Sequence, residues 1–182
     1  MRAQVNEIKG YTLIEFMVIM TLIGILLALA SFAFLPQFRK LEAQRINNEL
    51  RGFLVNGKQT ALIYHTPVTL CVADSNNQCQ SNNGEHLLTF IDMDDNHLFD
   101  NRVDRLVEIQ NLGLHFGKLM TGIALNKNYI KIKPITGNPI GYAGHISYCP
   151  FNADTLNTFQ VSFSMTGMVK TKPNSETSAE CA

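Results

Sequence analysis

The twenty residues Phe16–Leu35 contain no charged side chain, and this run constrains the chain more than any other feature. As a helix rising about 1.5 Å per residue it covers roughly the 30 Å hydrocarbon core of a bilayer. It is therefore read as a transmembrane helix. Between Lys9 and Arg39 the single charge is Glu15, at the mouth of the run. A carboxylate at a bilayer centre costs several kcal/mol, about 2.5 to 3.5 on insertion scales, so something must offset it.

A secretory signal peptide places charge first, then a shorter apolar stretch, then a small-residue cleavage site. Here the polar leader MRAQVNEIKG precedes a full-length span with no such site at its far end. Processing is expected before the helix, after Gly10.

Past the bilayer length the helical pattern becomes amphipathic. Ile46, Leu50, Phe53, Gly57, Ala61 and Tyr64 recur at spacings of three and four, while Arg39, Lys40, Glu42, Arg45, Glu49, Arg51 and Lys58 are assigned to the other faces. One long helix is expected to leave the membrane and lay a stripe on a globular domain. Pro36 lacks a backbone donor and is expected to kink or locally melt it. Gly52 and Gly57 each weaken it by about 1 kcal/mol relative to Ala, so packing must support it.

From Thr66 onward the period changes to two. Short strands are expected at TPVTLCV, HLLTFID, DRLVEIQ, YIKIKPI, GHISYC and TFQVSFS, separated by Gly, Asn and Pro clusters such as SNNGE, TGNPIGYAG and the turn at Met165, Thr166 and Gly167. The pattern predicts an α+β chain, a β-rich domain packed on a helix, without internal repeats.

Composition agrees with one globular unit plus an appendage, since 46% hydrophobic and 16% charged residues in a chain of 182 do not describe a disordered protein. Fifteen basic and fifteen acidic side chains cancel, which leaves no global field toward nucleic acid. Acidic residues dominate 66–112 and lysines dominate beyond it; solvated strand faces are the ordinary reading, a basic binding patch the sharper one.

The four cysteines suit disulfides in a domain outside the cytoplasm, and their spacing disfavours zinc. Of the three pairings that four cysteines allow, Cys71–Cys79, closing a short loop, and Cys149–Cys181, pinning the tail, are preferred. His65, His86, His97, His115 and His145 form no close pair, and no serine sits in a nucleophile elbow, so no enzyme is expected. Asp92, Asp94, Asn96 and Asp100 have the spacing of the first ligands of an EF-hand. His97 replaces the turn glycine and Val103 stands where a bidentate Glu belongs, so the stretch is read as an acidic surface hairpin, with no metal and no cofactor.

Gly10, Tyr11, Thr12, Leu13, Ile14 and Glu15 together resemble the type III signal of type IV pilins and type II secretion pseudopilins. In those proteins a prepilin peptidase cuts after the glycine and methylates the new N-terminus. The resemblance implies Gly10 as the cleavage residue and Tyr11 as the first mature residue, an aromatic in place of the commoner Phe. It also implies Glu15 as the assembly glutamate, which faces the positive N-terminus of a neighbouring subunit, and in low dielectric that pair recovers much of the desolvation cost. The plainer alternative is an interfacial Glu at the start of an ordinary signal anchor.

A second resemblance extends over the rest of the chain. The helix end running into TPVTLC, the acid-rich DMDDNHLFDNRVDRLVEI, and a Cys-bearing strand at Cys149 followed by a strand and a turn at Gly167 are similar to the GspH/FimT/FimU branch of pilin-like proteins. The branch implies a pilin-like fold with a leader at 1–10, a transmembrane, filament-core half of the helix at 11–38, an amphipathic half at 39–65 and a β-rich globular domain at 66–182.

It further implies a minor type IV pilin, FimT/FimU-like, that assembles into, primes or caps a pilus; a GspH-type pseudopilin of a type II secretion system is the alternative. Implied partners are other pilin or pseudopilin subunits, the prepilin peptidase and the inner membrane, crossed once with the globular domain in the periplasm before entry into a surface filament. A third reading is DNA uptake. FimT-like minor pilins of competent bacteria bind DNA through Gly-Arg-x-Arg at the C-terminal turn, but the matching positions here are Gly167, Met168, Val169 and Lys170, with Lys172 adding one charge. Lysine acts as a point charge where arginine forms a bidentate fork, so only weak, salt-sensitive binding through Lys170 and Lys172 is expected.

Overall fold

The computed structural model describes residues 12–151, 155–173 and 181. One helix, α1 (Leu13–Tyr64), is followed by β1 (Val68–Ala73), β2 (Asn82–Gly84), β3 (His86–Ile91), β4 (Arg105–Asn111), β5 (Gly117–Ile123), β6 (Ile130–Ile132), β7 (Gly144–Pro150), β8 (Phe159–Phe163) and β9 (Val169–Pro173). The chain forms two compact units, Met1–Phe38 and Arg39–Ala182.

In the second unit α1 buries Ala43, Ile46, Leu50, Phe53, Leu54 and Ala61. These recur every three or four residues and form one stripe. The two glycines of this half differ in role. A Cβ on Gly57 would run into the Leu70 side chain, so Gly57 lets the helix close onto β1, whereas a Cβ on Gly52 meets nothing within 4 Å. Two assignments along the stripe need correction. Tyr64, placed on the inner face by spacing, is 42% exposed and carries the Arg105 guanidinium over its ring at 4.9 Å. Glu42, placed outside, is buried. The helix stops where His65 turns left-handed (φ 51°) and Pro67 follows two residues later.

The strands form two antiparallel sheets, β4-β3-β1-β6 and β2-β5-β7-β8-β9. A single large core joins the helix stripe to Val68, Leu70 and Val72 of the first sheet and to Leu119, Ile146, Tyr148 and Val161 of the second. Every residue of β1 is buried, because the first sheet is covered on both faces. Its outer face carries a second small core of Cys71, Ala73, Cys79, Leu88, Phe90, Phe99 and Tyr129. The loops that follow β1 and β3 cover its outer side, contributing Cys79 and Phe99.

Three strands were not expected from the sequence. β2 is three residues long and exists through pairing with β5, Asn82 opposite Met120. β5, GKLMTGI, lies between two of the expected strands; a Cβ on its Gly117 would strike the Tyr148 ring and one on Gly122 the His145 ring. Close packing across the sheet requires both. β9 forms a hairpin with β8 around Gly167, whose φ of 74° suits a residue without a side chain.

Candidate assembly site

Among the described residues, the first unit presents an apolar helix with no covered side. Successive helical residues point about 100° apart, so five in a row sweep the whole circumference. Phe16, Met17, Val18, Ile19 and Met20 are each between 46% and 60% exposed, and the other large apolar residues from Leu13 to Leu35 whose side chains are described are exposed as well. Leaving such a surface in water costs about 25 cal/mol per Å² of apolar area, so this unit calls for lipid or for other apolar helices around it. No single helix among the described residues is long and apolar enough to cross a membrane unbroken; Leu13–Leu29 followed by Phe34–Tyr64 meets the length and composition as a broken pair. Pro36 gives the physical reason for a break, because its ring conflicts with the carbonyl four residues earlier, at Phe32.

Gly10 and Tyr11 lie outside the described residues. Glu15 opens the helix, and its Oε2 accepts hydrogen bonds from the Thr12 backbone N–H at 2.9 Å and from the Thr12 hydroxyl at 3.2 Å. The Thr12 hydroxyl oxygen in turn accepts the Glu15 N–H at 3.3 Å. This is a reciprocal capping box, which satisfies otherwise orphaned donors of the first turn. The sequence reading assigned Glu15 a partner on a neighbouring subunit and overlooked this local one, although Thr-x-x-Glu before an apolar run is its known signature. These bonds hold the Glu15 carboxylate at the first turn of the helix.

In the second unit a buried polar latch ties α1 to the β5 region. Glu42 Oε2 accepts the His115 N–H at 2.9 Å, and Oε1 accepts the Phe116 N–H at 3.0 Å and the Tyr148 hydroxyl at 2.8 Å. Burial, reinforced by the carboxylate of Glu42, pushes the Tyr148 phenol well above its ordinary range. One turn on, Arg45 donates to the carbonyls of Leu112 at 2.6 Å and Gly113 at 3.3 Å and pairs with Glu49 at 2.9 Å. The segment 112–116 is thus gripped by two side chains of one helical face. The signal was present: Glu42 lies four residues before Ile46, on the apolar stripe itself.

The disulfides join Cys71 to Cys79 and Cys149 to Cys181, each with Cα atoms 5.5 Å apart. The first is part of the small outer core; the second ties β7 to the C-terminal end of the chain. Lys170 and Lys172 project from the exposed side of β9, an edge strand, while Val169 and Thr171 face inward. The Thr171 hydroxyl reaches Asn47 on α1 at 3.0 Å. The helix adds a further lysine near this hairpin: Lys58 Nζ lies 3.4 Å from where a Cβ on Gly167 would sit, beside the β8–β9 turn.

Residues 6–31 match the family model described as the prokaryotic N-terminal methylation motif. Two crystal structures of the type IV minor pilin FimU of Pseudomonas aeruginosa, strain PAO1, share the architecture. One is 13% identical, with a TM-score of 0.50 over 70% of this chain and 90% of that one. The other, in a different crystal form, is 12% identical, with a TM-score of 0.54 over 78% of this chain and 93% of that one. The fold is pilin-like. No curated protein sequence matches the chain. The methylation motif and the bare apolar helix fall on the same stretch of the pilin-like chain, and the two-sheet unit supplies the globular part of the fold.

Proposed function

We propose that this protein is a minor type IV pilin of the FimT/FimU kind, cut after Gly10, methylated at Tyr11 and built into a filament through its N-terminal helix. The observation that carries the reading is the apolar helix exposed on every side, with Glu15 as the single charge at its start. In a membrane lipid covers that surface; in a filament the helices of other subunits do. Glu15, held by Thr12 in the lone chain, exchanges this bond for the amino terminus of a neighbour, an ion pair worth more in a dry helix bundle than in water. A GspH-type pseudopilin would use the same helix, and loss of exoprotein secretion in place of loss of pili would mark that role.

Two variants test the assembly reading in a strain whose own copy is deleted. A bulky replacement of Gly10 should leave the uncleaved precursor in the membrane. Glu15→Val should be cleaved normally yet be missing from sheared filaments. Cleavage of the Gly10 variant, or Glu15→Val filaments holding wild-type amounts of the protein, would refute the assignment.

A second reading, capture of duplex DNA, is favoured by one observation: Lys58 Nζ stands beside the Gly167 turn, from which β9 with Lys170 and Lys172 begins. Three lysines predict a salt slope of no more than about three, hence weak retardation seen only at low salt. Retardation unchanged in the triple alanine variant would exclude this patch.

A further inference from the structure

The geometry points to a divalent-cation site, of the chemistry that suits Ca²⁺, in the loop between β3 and β4, formed by Asp92, Asp94 and Asp104. Carboxylate oxygens of these three residues lie within 4.8 Å of one another. Oxygens bound to one calcium ion at about 2.3–2.6 Å are at most roughly 5 Å apart, so the three can share one ion. Clustered carboxylates alone carry little weight, because they are common on surfaces. Asp92 is different. Its side chain is fully enclosed, 0% exposed, and its Oδ1 is buried without a hydrogen-bond partner. A buried carboxylate oxygen without a protein donor is costly, and a cation is what such an atom is suited to meet.

The other oxygen is already engaged. Asp92 Oδ2 accepts the His97 N–H at 3.0 Å and lies 3.1 Å from His97 Nδ1. Lys131 Nζ stands 3.9 Å from it while ion-pairing with Asp95, so the neighbouring group Asp92, Asp95 and His97 already contains a cation of the chain's own. Oδ1 is the Asp92 oxygen that no group of the chain engages, and Asp94 and Asp104 complete a carboxylate set around this residue. Their oxygens are hard donors without nitrogen or sulfur among them, the set that suits Ca²⁺ and Mg²⁺ over zinc or copper.

The structure also removes both objections raised by the sequence. His97 stands where an EF-hand loop has its glycine, yet it adopts the left-handed conformation that a glycine would supply, φ 65°. Val103 occupies the position of the closing Glu, yet the next residue, Asp104, is buried and brings the third carboxylate. Asp104 is fixed by the N–H groups of Met93 at 3.0 Å and Asp100 at 2.8 Å. The same loop sends Phe99 into the outer core, 5.3 Å from Phe90. Cation binding therefore locks the loop onto the first sheet.

The test uses the full chain in detergent micelles, stripped with a chelator and dialysed, with CaCl₂ as the probe. Three carboxylates in an extracellular setting predict a dissociation constant of about 10⁻⁴ to 10⁻³ M. At ten times that concentration the melting temperature of the β-domain should rise by about 4 °C. Asp94→Ala should melt like the stripped wild type and show no rise; Asp94 is exposed, so the fold does not depend on it. Asp104→Asn should also lose the rise. No rise for the wild type up to about 10 mM CaCl₂, an equal rise in Asp94→Ala, or the same rise from NaCl at matched ionic strength would each overturn the site.

Discussion

Replacing Glu42 tests whether the α1 latch holds the pilin-like unit together through its charge or only through its shape. The carboxylate accepts three bonds, from two backbone N–H groups and the Tyr148 hydroxyl, all between 2.8 and 3.0 Å. A hydrogen bond to a charged group contributes about 1.5–3 kcal/mol, and removing the shared acceptor strands three donors at once. The three are not additive, so we expect Glu42→Ala to cost about 3–5 kcal/mol, the range for breaking a buried charged contact. At roughly 3 °C per kcal/mol for a unit of this size, the melting temperature should fall by about 10–15 °C.

Glu42→Gln is the sharper variant. It keeps the volume and one oxygen, but wherever the amide nitrogen lies it points a donor at a donor, and about 2–3 kcal/mol should still be lost. Melting would be followed by near-ultraviolet circular dichroism of the tyrosines in the full chain, because an apolar helix that persists in micelles would mask a far-ultraviolet signal. A Glu42→Gln chain melting within about 2 °C of wild type would refute the reasoning, since the latch would then need no carboxylate.

Other consequences can be checked with the same assay. Gly52→Ala should stabilise by about 1 kcal/mol, because a methyl group there meets only open space and helix propensity improves. Gly57→Ala should instead destabilise by about 1–3 kcal/mol as it pushes into Leu70; equal shifts of one sign would disprove the close-approach role. The raised Tyr148 phenol holds its proton in the folded state at pH values where the unfolded state has lost it. Its contribution is therefore complete below about pH 10 and is lost as pH rises further. Tyr148→Phe should flatten the fall in melting temperature between pH 9 and 11; an unchanged slope would show that other groups carry it. Replacing both Cys149 and Cys181 by Ser should cost about 3–4 kcal/mol, the loop-closure value for the 32-residue separation they bridge. Unchanged urea midpoints would show that the bridge does not constrain the unfolded chain.

How much of this was legible in the sequence depends on whether the signal was local. The apolar run, the helical stripe and the period-two strands are repeated patterns along the chain, and Ile46, Leu50, Phe53 and Ala61 are buried as that spacing requires. Thr12 and Glu15 are equally local, a four-residue capping signature that the chain carries beside the assembly motif. β2 and β5 are different: each is held by cross-strand partners, and the glycines of β5 reveal their purpose only once the Tyr148 and His145 rings lie across them. Charges were the weakest guide. Glu42, Asp92 and Asp104 look like solvated carboxylates in a list of residues, yet the fold buries the side chain of Asp92 and the residues Glu42 and Asp104. For Glu42 the compensation is visible, since three donors converge on it. For Asp104 it is two backbone N–H groups. For Asp92 only one oxygen is compensated by the chain, and the same desolvation argument that explains the latch is what the proposed cation at Oδ1 answers. The latch and the proposed cation site thus rest on a single physical rule, and the calcium titration and the Glu42 variants test it from opposite sides, by supplying a missing partner in one case and removing an existing one in the other.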